Sequence, residues 1–281
     1  MLLRLVPEFR RAMDLSLVLD AEDIPHELRS VGEGQWALVV ADADGERAGA
    51  AVAAFEGENP PPRRQRRGPE PLAGGIAAGL VFGLSLLALH IWTGPEAEGD
   101  IWFSRGSAEA QRILAGEWWR ALTALTLHAD AAHAAGNAVL GGVFLALLSR
   151  QLGAGIASWV VLFSGVAGTS LAALLVRHSF ISVGASTAVF GALGALAALQ
   201  AVDAERRRRA WLPLGAGIAL LGFLGAGKRA DFAGHLCGFA AGILAGLAAG
   251  MLPRWRSRAG QAMLALAAAA APVLSWWRAL R

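Results

Sequence analysis

Cysteine occurs once in this chain, as Cys237, so no intramolecular disulfide framework holds it together. That thiol lies within an apolar run, where it is expected to be inert packing. Charge is scarce too: Asp, Glu, Lys and Arg make up 17% of 281 residues against 55% hydrophobic residues, with mean hydropathy +0.47, and this balance excludes an ordinary soluble domain. Lysine is nearly missing, Lys228 being the single example, and the basic character rests on arginine. The first thirty residues are rich in charge and the first long apolar run begins near residue 73, so a cleavable signal peptide is not expected.

What is present is a series of membrane-length apolar runs. A hydrocarbon layer of ~30 Å requires roughly 17 to 25 such residues in a helix. Runs of that kind are found at 73–92, 131–149, 153–176, 183–202, 210–226, 232–252 and 260–277, seven in all. The last is the weakest, because Ala267 to Ala271 is only mildly hydrophobic and Pro272 interrupts it. Arginines cluster on alternate sides of these runs. Arg63, Arg64, Arg66, Arg67, Arg150, Arg206 to Arg209, Arg254, Arg256 and Arg258 fall on one side, twelve residues, against eight basic residues spread through the longer loops of the other. The positive-inside rule places the N-terminus in the cytoplasm of a multi-pass membrane protein. Each cluster abuts a run and none has interleaved aromatics, so nucleic acid is not an expected partner. The arginine-rich, lysine-poor style suits a bacterial inner (plasma) membrane.

Residues 1–58 differ in kind, mixing acids and bases through short apolar stretches. Phe9 to Glu22 has helical spacing, Gln35 to Val40 has the character of a strand, and Asp44 to Phe55 reads as a helix opened by Asp44. The expectation is a small soluble cytoplasmic α+β domain, a place where a cytoplasmic regulator would act. Residues 59–71, with Pro60 to Pro62 followed by arginines, form a stiff basic linker at the lipid headgroups. The body of the protein is expected over 72–252 as six helices, with a basic loop and a seventh helix over 253–281. Residues 93–130 carry Trp102, Phe103, Trp118 and Trp119 among polar positions, which suits an amphipathic outer loop lying partly in the interface.

Polar side chains within the apolar runs are costly and call for a role. They occur near the starts of the second, fourth and sixth runs: His133 with Asn137, then Ser186, then His235. Alternate runs cross in the same direction, so these four residues share one depth. Serine hydrolysis of a peptide bond needs a base to take the hydroxyl proton and donors to hold the oxyanion. Ser186 and His235 supply the first pair. His133 and Asn137, four apart on one helical face, supply donors together with the Ser186 amide. Proton transfer requires a separation of about 3 Å, and the sixth run has the means for close approach in Gly234, Gly238, Gly242, Gly246 and Gly250, as does the fourth in Gly184, Gly191 and Gly194. Each residue alone has a duller account, a serine bonding its own backbone or a histidine bridging helices. Four at matching depth favour a site.

The Trp119-Arg120 pair, the spaced set His128, His133 and Asn137, the segment Gly184-Ala185-Ser186, and Gly234-His235 followed by Gly238 and Gly242 together resemble the rhomboid intramembrane serine proteases over about residues 72–252. The resemblance implies an all-α polytopic membrane protein, a rhomboid-like six-helix bundle extended here by a seventh C-terminal helix and a small soluble N-terminal α+β domain. It implies a Ser186/His235 dyad without a third carboxylate, an oxyanion site of His133, Asn137 and the Ser186 amide, and no cofactor or metal. His128, Trp119 and Arg120 would brace the outer loop, and Phe190 would stack on His235. The implied partners are transmembrane protein substrates and membrane lipids.

One departure stands out: the family usually has glycine after the serine, where this chain has Thr187, and a β-branched residue there is expected to narrow the cavity or alter the approach to the oxyanion. Thr187 is also the feature that favours a silent, client-binding relative. Asp231, one turn before His235, is expected to be a helix cap rather than an orienting carboxylate. A transporter or channel would show charged midplane residues and paired halves, and neither is apparent. His26, His90 and His178 fit no constellation.

Overall fold

The structure is a computed structural model that describes residues 1–6, 9–32, 35–59, 75–97, 100–177, 180–202, 231–251 and 257–281, with isolated positions between 212 and 219. The chain divides into two compact units, 1–68 and 69–281. The expected linker at 59–71 and the expected fifth span at 210–226 fall almost wholly outside the described residues, as does His178.

In the first unit, β1 (Leu2–Val6), α1 (Phe9–Ala21), β2 (His26–Gly32), β3 (Gln35–Val40) and α2 (Gly45–Glu58) form a three-stranded antiparallel sheet of order β1-β3-β2. Leu15 and Leu19 of α1 and Val52 of α2 pack with Leu38 and Val40 of the central strand. The helices expected from Phe9 and from Asp44 are present, and Asp44 sits at the N-cap of α2 without a side-chain capping bond. The two outer strands were not foreseen, because HELRSVG carries almost no apolar alternation. His26, unassigned from sequence, bonds the Ser16 hydroxyl and the Ile24 carbonyl and is part of this unit's packing.

In the second unit, α3 (Gly75–Thr93) leads into a loop built from α4 (Ile101–Gly106), a short strand β4 (Ala108–Glu109), α5 (Ala110–Leu114) and α6 (Arg120–Thr123). Then follow α7 (Ala131–Leu152), α8 (Ala154–Val176), the strand β5 (Ile181–Ser182), α9 (Ser186–Val202), α10 (Phe232–Met251) and α11 (Arg258–Ala279). Five of these, α3, α7, α8, α10 and α11, are long and apolar enough to cross a membrane, and α9 is a shorter apolar helix of 17 residues. The protein is a multi-pass helical membrane protein. Four aspartate or serine caps set helix starts by accepting an early amide: Asp100 from Trp102, Asp130 from His133, Asp231 from Gly234 and Ser257 from Gly260.

The C-terminal helix is continuous through Pro272, so the interruption expected there does not occur. In a membrane helix the carbonyl freed by proline is tolerated when neighbours repack around it. α11 is tied to the bundle by Gln261, whose Oε1 accepts from the Gly155 and Ile156 amides at the start of α8 and whose Nε2 donates to the Leu152 carbonyl. At its far end the Trp276 indole donates to Thr126 of the loop.

Helix α9 is the axis of the unit, with every residue from Ser186 to Leu199 buried. A helix apolar on all sides has no face to show lipid and must be surrounded by its neighbours. Contacts between α9 and α10 run in step: a methyl on Gly238 would meet the Thr187 carbonyl, one on Gly242 the Gly191 carbonyl, and one on Gly246 the Ala195 backbone. Both numbers rise together by four, so the helices are parallel and touch backbone to backbone. Gly250, the last of the expected stripe, is exposed.

Candidate active site

Parallel alignment brings the N-terminal ends of α9 and α10 to the same level. Ser186 is the first residue of α9 and His235 the fourth of α10. Their side chains meet: His235 Nε2 lies 2.8 Å from Ser186 Oγ, and both residues are buried at 6–8% exposure. Phe190, one turn along α9, stacks on the imidazole with centroids 4.6 Å apart and planes at 23°. The other ring nitrogen, Nδ1, has no hydrogen-bond partner among the described residues, so no carboxylate extends the pair to a triad. Asp231 is indeed a cap: one oxygen accepts from the Gly234 amide and the other from the Ser182 hydroxyl.

Helix α7 contributes the next layer. Asn137 is buried and lines, with Ser186, Leu140, Phe144, Val189, Phe190 and Leu193, a narrow cavity of about 20 Å³. Its Nδ2 donates to the His133 carbonyl at 3.1 Å, leaving the second amide hydrogen for another acceptor. The His133 ring lies against Gly184, which has φ +118°; there any side chain would be strained and its Cβ would strike the imidazole. First-turn amides of a helix have no partner within it. The first intrahelical bond here runs from Val189 back to Ala185. The amides of Ser186, Thr187 and Ala188 therefore have no partner within α9, and they lie at the positive end of its dipole.

His128, in the segment before α7, is fully buried and its Nε2 accepts from the Ala185 amide at 3.4 Å. Its ring stands edge-on to His133 at 5.2 Å and to His90 at 6.4 Å, so His90, unassigned from sequence, backs this cluster. Burial first, then the neighbouring His133 and His90, push the His128 pKa down to about 3, and the ring is neutral at ordinary pH. The loop itself is locked by Arg120, 1% exposed, whose guanidinium pairs with Glu117 and Glu109 and donates to the carbonyls of Ser107 and Ser104 at 2.9 and 3.0 Å. Trp119 lies under the Arg278 guanidinium at 4.5 Å. The loop touches the site through a bond from the Gly184 amide to the Ala124 carbonyl at 2.9 Å.

Thr187 is not where the sequence suggested. It is buried about 100° round α9 from Ser186, its methyl against Gly168 of α8 and Gly238 of α10, and it does not line the cavity beside Ser186. Helical rotation explains the difference, since successive residues point about 100° apart. Sequence reasoning passed over Leu140, Phe144, Val189 and Leu193 as cavity walls. Spacing from Asn137 and Ser186 by three, four or seven would have found them.

The site is thus a buried serine–imidazole contact at the aligned ends of two parallel helices, and the class defined so far is that of polytopic helical membrane proteins with a polar pair inside the bundle. The family model described as the rhomboid domain matches residues 115–251, a stretch that holds all four polar residues. Among characterised relatives, the chain is 34% identical over 143 residues to "Rhomboid protease GluP" of Bacillus subtilis, covering 49% of this chain and 27% of that protein. It is 34% identical over 163 residues to "Rhomboid-like protease 3" of Toxoplasma gondii, covering 53% and 60%. A third match, 37% over 92 residues, is to "RHOMBOID-like protein 6, mitochondrial" of Arabidopsis thaliana, covering 32% and 30%. Over residues 115–251 the chain is thus similar to the rhomboid family, and it spans between about a quarter and three-fifths of the length of these relatives.

Proposed function

We propose that this protein is an intramembrane serine endopeptidase that cleaves transmembrane substrates, with Ser186 as nucleophile and His235 as general base. The observation that carries the reading is the 2.8 Å contact between Ser186 Oγ and His235 Nε2 in a buried setting. His235 takes the hydroxyl proton as Ser186 Oγ attacks the scissile carbonyl, and the same imidazole returns the proton to the leaving amine. Water then replaces the amine, is deprotonated by His235, and releases the acyl group from Ser186. Negative charge on the tetrahedral oxygen is held by the Ser186 amide, the free Asn137 amide hydrogen and the His133 ring. Phe190 and the glycine contacts hold His235 in place of an orienting carboxylate. His128, Trp119 and Arg120 keep the loop and the Gly184 turn in register.

The substrate helix enters from the lipid side, and solvent reaches the dyad from the end of the bundle that carries the loop. That end faces away from the cytoplasm, in a plasma membrane of bacterial type. The first unit is the site of cytoplasmic regulation. Thr187, the feature that favoured a silent client-binding protein, is turned away from the cavity and gives that alternative no support.

A fluorophosphonate probe tests the reading. The wild-type protein is expected to label at Ser186 and to cleave a model transmembrane substrate, and Ser186→Ala to lose both. Wild-type protein that neither labels nor cleaves would leave only client binding.

A further inference from the structure

Away from the serine, at the same end of the bundle, the loop and the end of α11 enclose a polar pocket of about 170 Å³. Its charged lining is Arg105, Arg112, Arg120, Arg278 and Arg281 against Glu117 alone. Arg120 and Arg112 are neutralised by Glu117 and Glu109. Arg105, Arg278 and Arg281 make no salt bridge among the described residues. They are nevertheless held: Arg278 lies over Trp119, Arg281 lies 3.5 Å from the Trp277 ring centroid, and Arg105 reaches the Ala279 carbonyl at 3.5 Å. Arg105, Arg278 and Arg281 are exposed, and three guanidinium groups gathered around one cavity without a salt-bridge partner repel one another, a repulsion that an anion shared between them would offset.

The level of the pocket points to the anion. Trp92, Trp102 and Trp276 form a row with centroid separations of 5.4 and 5.3 Å, and Trp118 and Trp277 are exposed beside it. Tryptophan in such numbers marks the membrane–water interface, the depth at which lipid phosphates lie. We propose that this pocket binds the phosphate group of an anionic phospholipid headgroup, bridging the loop to the C-terminal helix. The guanidinium forks supply paired N–H donors to phosphate oxygens, and the excess positive charge selects a headgroup with net negative charge over a zwitterionic one. This inference stands on the arginine pocket and does not depend on the proteolytic reading.

The full chain in neutral detergent is titrated with dihexanoyl phosphatidylglycerol, dihexanoyl phosphatidylcholine and inorganic phosphate, and binding is read by calorimetry. Saturable binding of phosphatidylglycerol is expected, at least about tenfold tighter than of phosphatidylcholine, weakening as NaCl rises from about 0.05 to 0.5 M. The R105Q/R278Q protein should bind about tenfold more weakly or not at all. If inorganic phosphate binds as tightly as the lipid and displaces it, the pocket is a phosphate site filled from solution; if it does not, the source is the membrane. Both outcomes support the phosphate assignment. No saturable binding of either ligand, or equal affinity in the folded double variant, overturns it. Should that variant fail to fold, the wild-type salt series decides, and binding indifferent to NaCl overturns the proposal.

Discussion

Two helix pairs in the membrane unit are built on the same glycine device and do different things with it. In α3 and α7 a methyl on Gly75, Gly79 or Gly83 would meet the carbonyls of Ala146, Gly142 and Ala138 in turn, so the numbers run oppositely and the pair is antiparallel. In α9 and α10 the matching contacts run in step and the pair is parallel. Close backbone approach is common to both, but at the glycine steps of α3 the single serine nearby, Ser149 beside Gly75, has no histidine against it among the described residues. Antiparallel packing sets the start of one helix against the end of its neighbour. Parallel packing aligns two N-terminal ends, each with unsatisfied amides and a positive dipole end, and so creates one polar level inside an apolar bundle. Small residues explain contact; direction explains the site.

The largest effect expected from breaking the polar level is at His235. His235→Ala removes the proposed base and should lower cleavage by about 10⁴-fold or more while the melting temperature in detergent changes little. Cleavage that persists in this variant would remove the role proposed for the imidazole. Asn137→Ala is next. One of the proposed oxyanion donors is lost, and a drop of about ten- to a thousandfold in kcat with KM little changed is expected; a wild-type kcat would contradict its assignment.

The glycine contacts separate the two pairs directly. Gly238→Val forces its side chain against the Thr187 carbonyl, widens the gap between α9 and α10, and should cost about a hundredfold in rate, because a displacement near 1 Å is enough. Gly79→Ala at the α3–α7 contact meets the Gly142 carbonyl just as closely, so a stability loss of about 1–3 kcal/mol is expected with cleavage changed by less than about threefold. Unfolding midpoints and cleavage rates measured on both variants check this. A Gly79→Ala protein as slow as Gly238→Val would mean that direction does not distinguish the pairs.

Much of this was legible in the chain because two signals survive without structure: apolar length marks each span, and a polar residue in a span is conspicuous against hydrocarbon. His133, Asn137, Ser186 and His235 stood out in that way and lie at one end of the bundle. Phe190 on His235 and Arg120 within the loop came through family resemblance; the structure stacks Phe190 on His235, and it pairs Arg120 with Glu117, a partner that the resemblance did not name. Rotation about a helix axis was not legible. α9 is apolar on every side, so no hydrophobic face shows which way Thr187 points, and the expectation that it narrows the cavity failed for that reason. Gly75, Gly79 and Gly83 have the same period as the α10 stripe, but no serine–histidine combination at matching depth accompanies them in the sequence. Docking of α11 through Gln261 and Trp276 depends on partners more than a hundred residues away, which local pattern does not reveal.

The smallest expected effect is on acid stability, and it again divides the pairs. His128, behind the Gly184 turn, stays neutral in the fold down to about pH 3, whereas an unfolded histidine takes up its proton near 6.5. Between those values the unfolded chain binds a proton that the folded chain refuses, so stability falls as pH drops from about 6.5 toward 3, with a slope of at most about 1.4 kcal/mol per pH unit from this residue. His128→Gln should flatten that slope in chemical-denaturation series run at pH 7, 6 and 5, although it also disturbs the bond from Ala185 and lowers stability at every pH. Gly79→Ala has no ionisable group at its contact and should shift the curve without changing its slope. An unchanged slope in His128→Gln would assign the acid sensitivity to other groups and leave the polar level of α7, α9 and α10 without this particular cost.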